Sequence, residues 1–150
     1  MNKNALTTMA AVLLIIYSLI NLGAGIGQFG KAKAVSGTTS LAASLGNMAG
    51  DKAGAEELNR KGTRTSAMLY LIALFILATA ALEMAGAIGF FSGQNWAPTL
   101  VMAAAACGIL VEIQDSAEDG FGVGKLIFLA INLLAFMAAA SAKKPVTDIE

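Results

Sequence analysis

Two carboxylic acids lie within apolar stretches of this chain, Glu83 and Glu112. An ionisable group at membrane depth is costly, so it marks a functional position by default. Glu83 is the only charge between Ser66 and Phe91. One reading makes it a proton-binding carboxyl, or the polar end of a quinone or lipid site. The simpler reading makes it a carboxyl that holds helices together through Asn132 or Tyr17. Glu112 opens the run Glu112, Gln114, Asp115, Glu118, Asp119. That run reads as a helix emerging into water with a solvated acidic face. Ion pairs with Lys31, Lys33, Arg60 or Arg64 are the sharper alternative.

The rest of the inventory narrows the chemistry. Histidine is absent, so a histidine base, a bis-histidine haem and a histidine-bound metal are excluded within this chain. One cysteine, Cys107, gives no internal disulfide and no thiolate cluster, and among alanines it reads as a small packing residue. Ten Lys and Arg balance ten Asp and Glu, which leaves no basic face for nucleic acid. No cofactor motif occurs; a quinone or a lipid is what the Glu83 position would take.

Such side chains need elements to hold them, and the composition says which kind. The 150 residues are 57% hydrophobic and 13% charged, with a mean hydropathy of +0.70. That is about half the charge of a soluble domain, too little to cover its surface. An integral membrane protein follows. A spanning helix needs about 20 mostly apolar residues. The segments that qualify lie at about 5–27, 66–91, 97–113 and 123–142. The first resembles a signal peptide in its Lys3 and apolar run, but it is longer than a typical signal core and reads as a true span. Ser92 to Pro98 is a turn, with Pro98 suited to a first helical turn.

The expected architecture is therefore an all-α, single-domain, antiparallel bundle of four transmembrane helices. Its first loop, about Lys31 to Thr65, is long and expected to be partly helical. Glu56 and Arg60 stand at i,i+4 there, the favourable orientation. Counting Lys and Arg puts seven on the side of this loop and three on the side of the termini. The long loop is then cytoplasmic and the termini outside, in what reads as a bacterial inner membrane. Depths counted at about 1.5 Å per residue put Glu83, Asn132, Cys107, Tyr17 and Thr79 in one polar layer drawn from all four helices. Gly23 and Gly27, with Gly86, Gly89 and Gly93, supply small-residue faces for helix packing. Trp96, Phe90 and Phe91 suit an interfacial aromatic belt.

The stretch Leu82-Glu83-Met84-Ala85-Gly86-Ala87-Ile88-Gly89-Phe90-Phe91-Ser92-Gly93 is followed by a proline-containing turn, an alanine-rich span and a leucine-rich last helix. Over residues 82–144 this resembles the DoxX-like four-helix membrane family. The resemblance implies four spans and an acidic residue before a glycine-rich helix end. It also implies membership of a group that includes subunits of quinone-linked oxidation systems and assembly factors. Small size and the lack of a cofactor motif favour an accessory or scaffold subunit of a larger membrane complex, non-catalytic by itself. Its expected partners are membrane lipids and other integral subunits. The alternatives are a DoxX-like subunit of a quinone-linked oxidoreductase and a small proton-coupled carrier or channel using Glu83.

Overall fold

The computed structural model describes residues 3–120 and 122–142, and the side chains among them except 3–4 and 114–119. The order is α1 (Lys3–Met48), α2 (Lys52–Phe91), α3 (Ala97–Asp119) and α4 (Val123–Ala142), with no strand among the described residues. Helices α1, α2 and α4 are long and apolar enough to cross a membrane. The apolar part of α3, Ala97–Ile113, is shorter. At about 1.5 Å per residue α1 rises about 69 Å and α2 about 60 Å, each about twice the hydrocarbon thickness. The long first loop is thus absent as a loop. Both helices run on through it, and only Ala49, Gly50 and Asp51 separate them.

That three-residue turn is written in local chemistry. The Asp51 N–H donates to Gly46 O and the Gly50 N–H to Asn47 O, the paired bonds of a Schellman motif. Gly50 takes a φ of 88°, a left-handed conformation that any Cβ would oppose. Asp51 then caps α2, its Oδ1 accepting from the Gly54 N–H at 3.0 Å. The same device ends α2. Gln94 N–H donates to Gly89 O, Gly93 N–H to Phe90 O, and Gly93 has a φ of 64°. Gly93 therefore serves the turn, not a packing face.

Contacts divide the chain into two units, residues 1–20 with 78–150 and residues 21–77. The second unit is an antiparallel helical hairpin closed by small residues. A Cβ on Gly25 would meet Leu77, one on Gly62 would meet Thr39, and one on Gly46 would meet Ala55. Ser66 Oγ donates to Ala32 O at 3.0 Å, and the Phe29 and Tyr70 rings lie 5.5 Å apart. Buried Ala32, Ala43, Ala55 and Ala73 line the same seam. The exposed i,i+4 ion pair joins Glu57 and Lys61 at 2.7 Å, one position on from Glu56 and Arg60. Its hydrogen bond and charge hold the Glu57 carboxyl below the usual range and the Lys61 ammonium above it.

The first unit gathers parts of all four helices around Ala11, Leu14, Ala87, Val101, Ala105, Ala135 and Ala139. Glycine allows the close approach of α2 and α3. A Cβ on Gly86 would stand 2.5 Å from Val101 Cγ2, and one on Gly89 would stand 2.7 Å from Ala97 Cβ.

Candidate functional site

In the first unit each helix continues its core-facing stripe with a polar side chain. On α1 the stripe runs Ala11, Leu14, then Tyr17 and Ser18. On α2, read backwards, it runs Ala87, Glu83, then Ala80 and Thr79. On α3 it runs Val101, Ala105, Gly108, Glu112, and on α4, backwards, Ala139, Ala135, Asn132. The spacings are three and four, the neighbours on one helix face. All of Tyr17, Ser18, Thr79, Glu83, Glu112 and Asn132 are buried, and Glu83 and Asn132 are fully enclosed.

Within this layer the Tyr17 hydroxyl donates to Glu112 Oε1 at 3.1 Å. The Tyr17 ring leans on Phe128 at 5.2 Å between centroids. Ser18 Oγ donates to Ile15 O at 2.9 Å and approaches Met84 Sδ at 3.8 Å. Asn132 Nδ2 donates to Phe128 O at 3.1 Å. Its amide packs on Gly108, where a Cβ would come within 2.6 Å of Oδ1. A larger residue at 108 would displace the amide, so the glycine and the asparagine belong together.

Glu112 departs from the sequence expectation. It is buried and takes a phenol's hydrogen bond, where a solvated acidic face was expected. The reason is its phase: it lies seven residues beyond Ala105 and four beyond Gly108, on the buried seam of α3. That heptad spacing, visible in the sequence, was the signal that could have found it. The side chains of Gln114, Asp115, Glu118 and Asp119 lie outside the described residues, as do Lys143 and Lys144. Cys107 is half-buried and falls about 130° round α3 from the centre of that seam. Gly86 and Gly89 face α3, whereas a Cβ on Gly23 or Gly27 would meet nothing within 4 Å.

A phenol and a carboxyl in hydrogen-bond contact, with a second carboxyl buried in the same unit, can hold or relay a proton. They can equally tie helices together where no water competes. Among the described residues no cluster of three or more His, Cys, Asp and Glu is placed to hold a metal ion.

Apolar helices of spanning length and large exposed apolar side chains define a helical membrane protein. The chain belongs to the DUF2127 family of predicted membrane proteins, whose profile matches residues 38–141. The match supports a membrane protein and does not support the DoxX-like resemblance. No curated protein and no solved structure matches the chain.

Proposed function

We propose that this protein is a small accessory or scaffold subunit of a larger membrane complex, non-catalytic by itself. In this reading all four helices span the membrane as an antiparallel bundle, α3 included. By the Lys and Arg count the tipward part of the hairpin, about Lys31 to Thr65, is cytoplasmic and the termini lie outside, in a bacterial inner membrane. The supporting observation is the face of α1 turned away from α2 within the hairpin. Gly23, Gly27, Gly30, Ala34 and Gly37 recur on it at spacings of four and three, and all are exposed. The face continues through Leu41, Leu45 and Met48, which are 66%, 58% and 83% exposed. Lipid accounts for apolar exposure within the span. It does not account for Leu41 to Met48, which begin about 15 Å of helix beyond Lys31. An apolar stripe outside the bilayer fits a protein partner.

The test is affinity isolation of the tagged full chain from native membranes in mild detergent, with mass spectrometry of what accompanies it. The expected result is one or more integral proteins in fixed ratio. That ratio should fall in a Leu41→Lys, Leu45→Lys variant and survive in Glu83→Gln. Recovery of the chain alone, under conditions that preserve other complexes, would overturn the proposal.

A second reading rests on the enclosed Glu83 carboxyl. A proton-coupled carrier or channel, or a DoxX-like quinone-linked subunit, would use Glu83 directly. Loss of transport in Glu83→Gln with assembly intact, or a quinone bound beside Glu83, would favour it over the scaffold.

A further inference from the structure

We infer that Lys31, Lys33 and Arg64 form a collar around the hairpin that binds the phosphate headgroups of anionic phospholipids. The collar's level is set by one buried bond. Ser66 Oγ donates to Ala32 O, so these two residues lie opposite one another in the antiparallel pair. Lys31 and Lys33 flank Ala32, and Arg64 is two residues from Ser66. At about 1.5 Å per residue all three fall within about 5 Å along the hairpin axis. The polar layer of one leaflet is about 5–8 Å thick, the difference between full and hydrocarbon thickness shared between two faces.

Their azimuths surround the hairpin. Lys31 and Lys33 are about 200° apart on α1, one to each side of the buried Ala32. Arg64 is likewise about 200° round α2 from the buried Ser66. All three are exposed. None has an ion-pair partner among the described residues, where Glu57 pairs with Lys61. The acids of the hairpin, Asp51, Glu56 and Glu57, all lie nearer its tip.

The order of side chains along the hairpin says what the cations meet. Ile26, Leu71, Leu74 and Phe75 are exposed and apolar on one side of the collar. The Phe29 and Tyr70 ring pair comes next, as interfacial aromatics do. The unpaired cations follow, and then a tip that carries the hairpin's remaining charges beside the exposed Leu41, Leu45 and Met48. Apolar surface, aromatic ring, cation and charged tip is the sequence of environments from hydrocarbon through headgroups to water. A guanidinium and two ammonium groups at the headgroup level match phosphodiester anions, the guanidinium by a two-pronged hydrogen bond. Attraction to an anionic surface adds about fivefold in affinity per Lys or Arg. The inference is independent of whether the protein is a scaffold.

The test reconstitutes the full chain in phosphatidylcholine bilayers and measures, by electron spin resonance, the protein-bound fraction of spin-labelled lipids. Labelled phosphatidylglycerol is compared with labelled phosphatidylcholine. The wild type should prefer phosphatidylglycerol by at least about fivefold. The preference should vanish in the triple variant Lys31→Gln, Lys33→Gln, Arg64→Gln and persist in Lys52→Gln at the hairpin tip. It should also weaken in about 1 M salt, where screening shortens to about 3 Å, a readout that needs no variant to fold. Added inorganic phosphate should leave it unchanged beyond the effect of equal ionic strength. Equal binding of the two lipids by the wild type would overturn the inference. So would a loss in Lys52→Gln as large as in the triple variant, or specific displacement by inorganic phosphate.

Discussion

Replacing Gly86 by alanine should have opposite effects on stability depending on what stands at position 101. The new methyl would lie 2.5 Å from Val101 Cγ2. Val101 is fully buried on a helix, where a β-branched side chain keeps essentially one rotamer, so it cannot swing aside. Overpacking of this kind costs about 1–3 kcal/mol. Past Cγ2, the next atoms are Val101 N at 3.5 Å and Cα at 3.6 Å, which is ordinary contact. With alanine at 101 the clash is therefore gone and the methyl fills space that Val101 vacated. What remains is the backbone advantage of alanine over glycine in a helix, up to about 1 kcal/mol. Gly86→Ala should thus destabilise the wild type and be neutral or stabilising in the Val101→Ala background; the backbone advantage cancels between the two, leaving a coupling of about 1–3 kcal/mol. Reversible unfolding in mixed detergent micelles, followed by far-UV circular dichroism, gives the four free energies of the cycle. Equal costs of Gly86→Ala in both backgrounds would refute the close approach of α2 and α3 at this point.

Other expectations rest on single features. Tyr17→Phe deletes the donor to Glu112 and should cost about 0.6 kcal/mol in the same assay, and no more than about 1.7, the average and the maximum for side-chain hydrogen bonds between membrane helices. Gly50→Ala forces a Cβ into a φ of 88° and should cost about 1–2 kcal/mol. Faster amide exchange at Gly50 and Asp51, whose bonds close α1, would report the same change. Lys61→Gln should return the Glu57 carboxyl, followed by carbon NMR, upward to the ordinary carboxylate range. The sign for stability follows from Glu57 being held low and Lys61 high. Any contribution of the pair is present near neutral pH, fades as pH drops through the Glu57 value in the folded protein, and fades again as pH climbs through that of Lys61. Because the pair is fully exposed, that contribution should be slight.

Much of the local structure was legible in the residues. Asn47 to Asp51 and Gly89 to Gln94 encode their own turns, because a glycine in the left-handed conformation and a capping aspartate act through bonds to residues no more than five away. The apolar runs announced helices of spanning length. The charged stretch after Gly50 reads as partly helical and is helical throughout from Lys52: it contains no proline and is rich in Lys, Arg and Glu, all good helix formers. The hairpin's glycines, costly in a lone helix, are supported where Gly46 on α1 meets Ala55 and Gly62 on α2 meets Thr39. Tyr17, Thr79, Glu83 and Asn132 could be singled out as polar residues in apolar runs. Glu112 stood at the edge of an acidic series, and its neighbours in sequence disguised it.

The sequence by itself determined a membrane protein built on apolar helical runs, since these follow from composition and from periodicity along one helix. Only the tertiary structure decided that Tyr17 reaches Glu112, 95 residues away, that Asn132 rests on Gly108, and that Gly86 rather than Gly23 or Gly27 is pressed against a neighbour. Helical periodicity says which residues share a face. Which face meets which, and at what register, depends on how side chains from distant segments fit together, and no local pattern carries that.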